Sequence, residues 1–191
     1  MLEQLLEWDK ETLIYLNGLG VEKYDAFWST VTNISTWIPL FMLFFILLYR
    51  KYPKKEAVAR ILTSLAVLGI VLLTMQITKE SVGRLRPNND LEINSIIRVI
   101  RNPSSFSFFS GHASTSFGLT TIIVLFLRKK IKWIWIFYLW PLLYAFSRIY
   151  LGVHYPLDII VGAMVGLTYA LLFYRLYKKI IAPKIKSTHP V

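Results

Sequence analysis

Three clusters of charged and polar residues stand at the ends of apolar segments in this chain. They are Lys79 with Arg86 and Pro87, then Ser110-Gly111-His112, then Ser147-Arg148 followed by His154 and Asp158. Together they hold three cations, two imidazoles and a carboxylate. Fixed cations can neutralise phosphoryl oxygens, one imidazole can attack phosphorus, and a second can protonate the leaving oxygen. Ionisable groups near membrane depth are costly, so each is a candidate for function.

Each element taken singly has a plainer account. Lys79, Arg86 and Arg148 could snorkel to the interface as terminal cations do. His112 could be a satisfied polar residue at a helix start, where Gly111 allows close approach and free N–H groups attract anions. His154 and Asp158 lie four apart across Pro156, so a helix beginning at the proline turns both to one side. A carboxylate on one ring nitrogen fixes the tautomer and leaves the other as a nucleophile, though a capping aspartate beside an interfacial histidine fits as well. The combination decides. Two of the chain's three histidines fall in these clusters, and the third, His189, lies in a basic tail far from them.

The elements that must position these residues are membrane helices. Of 191 residues, 55% are hydrophobic and 15% aromatic, more than a soluble domain of this length needs. About 20 apolar residues span a bilayer core, and five segments qualify: 27–49, 61–78, 113–127, 133–149 and 157–177. The first is polar at its start (Ser29, Thr30, Thr32, Asn33, Ser35, Thr36). Upstream, Leu2, Leu5, Leu6, Leu13 and Leu16 recur among acidic residues, the pattern of an interfacial amphipathic helix. The expected fold is therefore all-α: a polytopic membrane bundle of about five transmembrane helices plus that N-terminal helix. The whole chain, 1–191, reads as one integral membrane domain. Residues 1–25 form the interfacial helix, 84–109 an extracytoplasmic loop and 179–191 a cytoplasmic basic tail. A loop as long as 84–109 inside a compact domain is usually functional.

Charge sorts the two faces. One receives 14 of the 22 Lys and Arg residues, in runs around 50–60, 128–132 and 175–186, against Glu56 alone; the other has eight cations and ten acids. The positive-inside rule makes the first face cytoplasmic, which puts the N-terminus and all three clusters outside and the C-terminus inside. So the net charge of +11 reflects topology, and no nucleic-acid partner is expected. The chain has no cysteine, which excludes disulfides, thiolate catalysis and a Cys-based metal site. Met1–Glu11 lacks the basic region and apolar core of a cleaved signal. Gly162-x-x-x-Gly166 is expected to allow close helix packing.

On these residues the chain resembles the type 2 phosphatidic acid phosphatase superfamily, whose signature is K-x6-R-P, then P-S-G-H, then S-R-x5-H-x3-D. The first block matches at Lys79, Arg86 and Pro87, and the third at Ser147, Arg148, His154 and Asp158. The second reads Phe109-Ser110-Gly111-His112, with phenylalanine in place of proline, a change in loop shape rather than chemistry. The resemblance implies that His154 is the nucleophile, oriented by Asp158, and forms a phosphohistidine. His112 would protonate the leaving oxygen and then activate water. Lys79, Arg86, Ser110, Gly111 and Arg148 would bind phosphate. No metal or cofactor is implied, and activity without added magnesium is expected.

An outward-facing interfacial site suits an amphiphilic phosphate lipid held in the bilayer of a bacterial inner membrane, with no obligate protein partner evident. Undecaprenyl diphosphate leads, with lipid A phosphate and phosphatidylglycerophosphate as alternatives. Vanadium haloperoxidases share the constellation but are soluble. A lipid or ion carrier is the non-enzymatic alternative, and it has no evident need for two histidines and an aspartate.

Overall fold

In a computed structural model, residues 1–186 are described; 187–191, with His189 and the end of the expected basic tail, lie outside the described residues. Among the described residues the ordered elements are helical.

The amphipathic N-terminal stretch forms α1 (Leu2–Gly18). Asp9, Leu13 and Asn17, spaced four apart, make its buried stripe, while Leu2, Leu5, Trp8 and Tyr15 are exposed. The segment expected as one span from residue 27 is broken. It folds as α2 (Asp25–Val31), a 3₁₀ turn at Ile34–Trp37 and α3 (Ile38–Lys51). Asn33 explains the break, because its side chain caps the turn by accepting from the Ser35 N–H at 3.2 Å. Pro39 then sits in the first turn of α3, where its missing N–H costs nothing.

α4 (Lys54–Val82) is longer than its apolar stretch, and Gly83 ends it at φ 62°, donating its N–H to the Lys79 carbonyl at 3.0 Å. α5 (Gly111–Leu127) begins at the Ser110 cap. The fourth expected span is a 3₁₀ segment, Ile134–Tyr138, leading into the short α6 (Leu139–Tyr150). α7 (Pro156–Leu176) opens on its proline, and α8 (Ala182–Lys186) follows after a wider turn.

Among the described residues three stretches are long and apolar enough to cross a membrane: Ile34–Lys51, Lys54–Asn89 and Pro156–Ile185. Gly111–Leu127 is apolar but shorter. α5 is the axis, buried along most of its length and packed most extensively on α7. Phe44, Leu48, Val67, Val71, Ile122, Ile123, Phe126 and Trp140 fill the core around it.

Small residues permit the α5–α7 approach, as the Gly162–Gly166 spacing suggests. A Cβ on Gly166 would lie 2.2 Å from the Ser114 carbonyl oxygen, and one on Gly162 2.6 Å from that of Ser110. Both obstacles are backbone, so nothing can swing aside. Gly166→Val is expected to destabilise the protein by about 1–3 kcal/mol through overpacking. Gly69→Ala, where nothing lies within 4 Å, is expected to be neutral. Thermal unfolding of both variants in detergent checks the pair, and equal melting temperatures would refute the close-packing argument.

Candidate active site

The three sequence clusters meet at one end of the bundle. α4 delivers Lys79 in its last turn, α5 starts with Gly111 and His112, α6 ends with Arg148, and α7 begins beside His154 and Asp158. The Ser110 N–H donates to the Asp158 carbonyl at 2.9 Å, which ties the start of α5 to the first turn of α7. The opposite end collects Arg50, Lys51, Arg128 and Lys178.

His154 sits in the turn between α6 and α7 and is 1% exposed. Its Nδ1 lies 3.2 Å from Asp158 Oδ2, which also accepts the Tyr155 N–H at 3.0 Å. Because that carboxylate is acceptor-only when ionised, Nδ1 carries the ring proton and Nε2 keeps its lone pair. Nε2 faces Arg86 Nη1 at 2.9 Å. Burial first, then the charges of Arg86, Arg148, Lys79 and Arg84, hold the imidazole well below its ordinary pKa. The ring is neutral at pH 7, the form able to attack phosphorus.

The three cations are nearly buried: Lys79 is 8% exposed, Arg86 5% and Arg148 5%. The 84–109 loop supplies acceptors to two of them. Lys79 Nζ donates to the Phe106 carbonyl at 2.9 Å, and Arg86 Nε to that of Ser105 at 2.6 Å. Arg148 Nη1 donates to Thr32 Oγ1 at 2.6 Å, whereas its Nε is buried without a partner among the described residues. Buried donors normally find an acceptor, and an anion would provide one.

His112 Nε2 is 3.3 Å from the Thr32 carbonyl, and its ring stacks on Tyr144 with centroids 4.6 Å apart. It is close enough to Arg148 and Arg86 to feel their charge. Ser110 Oγ caps α5 by accepting from the Ala113 N–H at 3.4 Å, so its hydroxyl is engaged locally. Gly111 presses on Met75, whose sulfur a Cβ there would meet at 2.3 Å.

Several further residues at the site carry no role that the sequence assigns. Thr32 holds both Arg148 and His112, and its only signal was the polar run interrupting the first apolar segment. Arg84, an unassigned position inside the first motif, bonds Asp158 Oδ1 at 2.9 Å and Asp9 Oδ2 at 2.6 Å. Asp9 Oδ1 in turn accepts the Leu157 N–H at 2.8 Å. No spacing rule connects positions 9, 84 and 158. Phe109, standing where the related signature has proline, is buried.

An apolar cavity of about 440 Å³ lies beside this cluster. Ile34, Phe41, Leu68, Leu72 and Trp140 line it together with Thr115, one turn beyond His112. Among the described residues no group of three His, Asp or Glu side chains converges as metal ligands would.

A family model described as the PAP2 superfamily matches residues 57–182. Over its full length the chain is 31% identical to a lipid A 4'-phosphatase from Bacteroides thetaiotaomicron, covering 86% of that protein. It is 33% identical to an undecaprenyl-diphosphatase from Sulfolobus acidocaldarius, over 79% of this chain and 66% of the relative. The fold superposes with a TM-score of 0.74 on a transmembrane PAP2-type phosphatidylglycerolphosphate phosphatase from Bacillus subtilis. That match covers 93% of this chain and 88% of the other at 24% identity, a likeness of fold alone.

Proposed function

The chain belongs to the PAP2 superfamily, and from that membership we propose that it removes phosphate from an amphiphilic lipid through a phosphohistidine on His154. It is a membrane lipid phosphatase, a phosphoric monoester hydrolase. The observation that carries the residue roles is the orientation of His154. Its Nδ1 is tied to Asp158, and its Nε2 points at a guanidinium within a buried group of three cations.

In the first step His154 Nε2 bonds to phosphorus as the bond to the lipid oxygen breaks, and His112 gives that oxygen a proton. Lys79, Arg86 and Arg148 neutralise the three equatorial oxygens, with the α5 N-terminus at Ser110-Gly111 beside them. In the second step His112 takes a proton from water, whose oxygen attacks phosphorus, and the P–N bond breaks to release phosphate and restore the ring. Positioning and charge dominate phosphoryl transfer, and three fixed cations supply the charge.

The bilayer topology we infer keeps five crossings, with the short helices α5 and α6 completing the three long ones inside the bundle. The cation-rich end is then cytoplasmic by the positive-inside rule, and the site opens outward from a bacterial inner membrane. The apolar cavity beside Thr115 supports a substrate whose tail stays in the bilayer.

For the substrate we favour the 4'-phosphate ester of lipid A, because that relative aligns with this chain from end to end. Undecaprenyl diphosphate, the leading expectation from sequence, comes second on the strength of the undecaprenyl-diphosphatase relative. Pure protein in detergent, assayed for phosphate release against lipid A, undecaprenyl diphosphate and phosphatidylglycerophosphate, tests the reading. Release from one of them is expected to persist in EDTA. Orthovanadate, a mimic of pentacoordinate phosphorus, should inhibit it. No release from any of the three would sink the proposal.

A further inference from the structure

The turn that bears His154, residues 151–155, hangs between the end of α6 and the start of α7. α1 holds both of its ends. Asn17 Nδ2 donates to the carbonyls of Ile149 and Tyr150, each at 3.0 Å, in the last turn of α6. Eight residues earlier on the same buried stripe, about 12 Å along the helix, Asp9 Oδ1 accepts the Leu157 N–H at the start of α7. The other Asp9 oxygen takes Arg84 Nη2 at 2.6 Å, Arg84 Nη1 holds Asp158 Oδ1 at 2.9 Å, and Asp158 Oδ2 holds His154. Asp9 and Asp158 are both fully buried.

We propose that α1 is a positioning brace for the reaction, in which Asp9 acts through Arg84 to aim the Asp158–His154 pair. Stability alone gives little reason for this arrangement. A buried ion pair is seldom more stable than apolar packing of the same volume, whereas it does fix geometry. Burial raises the Asp9 carboxyl above the usual range, against the Leu157 N–H and Arg84, which lower it. Leu13, midway along the stripe, already supplies an apolar anchor against Ile149 and Tyr155. The network instead spends two directional contacts on the Asp9 carboxylate, one on each oxygen. Neither Asp9 nor Asn17 bonds Lys79, Arg86 or Arg148, so phosphate binding should be spared.

The inference rests on His154 as the attacking group. Asp9→Asn keeps the shape and removes the charge. It is expected to lower kcat roughly 10–100-fold, as loss of outer-shell support does elsewhere, with KM within about threefold. The pH profile separates aiming from mere stabilisation. The charged and titratable groups facing His154 are Arg84, Arg86, Lys79, Arg148, Asp158 and His112. Arg84→Gln removes one cation that holds the ring low, so the acid limb of kcat moves to higher pH. Asp9→Asn removes an anion from the same network, so that limb moves to lower pH. Should Arg84→Gln not fold, Arg84→Lys keeps the charge and loses the fork: kcat falls and the limb stays.

The brace is refuted by folded variants with wild-type kcat. It is equally refuted if activity falls only in step with thermal stability and the limb does not move. His154→Ala, run alongside on the panel lipid that wild type hydrolyses fastest, separates the two ideas. Turnover by that variant defeats the nucleophile assignment, whereas an inert His154→Ala beside fully active Asp9 and Arg84 variants defeats only the brace.

Discussion

His154→Ala is expected to abolish phosphate release, with a loss on the order of 10⁴–10⁶-fold, the scale seen when a covalent nucleophile or its partner is removed. The ring presents a nucleophilic nitrogen lone pair to the cationic cluster, whereas Asp158 is occupied on both oxygens. Without it, water must attack phosphorus directly in a cavity shaped for a ring. The check is single-turnover assay of purified protein with a ³²P-labelled lipid phosphate, quenched in alkaline denaturant because the P–N bond is acid-labile. Wild type should carry transient label on His154 and the variant none. Wild-type turnover by His154→Ala would overturn the mechanism, because no neighbouring side chain could replace the ring.

His112→Gln should leave a trace, roughly 10²–10⁴-fold below wild type, the usual contribution of a positioned acid–base histidine. Two consequences follow from assigning it both proton transfers. A poor leaving group, such as the sugar alkoxide of a lipid A phosphate ester, should suffer more than a diphosphate, whose leaving oxygen is already acidic. With the diphosphate, label should accumulate on His154, because the water-activating step remains impaired. Comparing the two substrates in single-turnover and steady-state assays checks both points. Equal losses on both substrates, without accumulation, would instead make His112 a structural partner of Thr32 and Tyr144.

Much of this architecture was legible in the chain because its signals are local. The apolar stretches of α4, α5 and α7 are continuous, and their ends carry readable punctuation in Gly83, Ser110 and Pro156. The first and fourth segments were less legible. Asn33 and Thr32 serve distant or turn-forming partners that hydropathy does not register, and the residues after Trp133 tighten into a 3₁₀ segment before α6. The motif residues were readable by type and spacing, and they do converge at one end of the bundle. The network behind them was not. Asp9, Arg84 and Asp158 are joined by contacts spanning 74 to 75 residues of sequence, and an acidic residue on an amphipathic helix normally signals only a solvated face. Its four-residue spacing from Leu13 and Asn17 was the available clue.

The bond between Arg86 and His154 also bears on how the chemistry is timed. One N–H cannot grip a ring nitrogen and a phosphoryl oxygen with full strength at once. Under the proposed mechanism, arrival of the anion would therefore draw the guanidinium off the imidazole in the same movement that seats the phosphorus. The reactive lone pair would then be unmasked by its own target, an interlock shielding it from stray electrophiles until the correct cargo has docked.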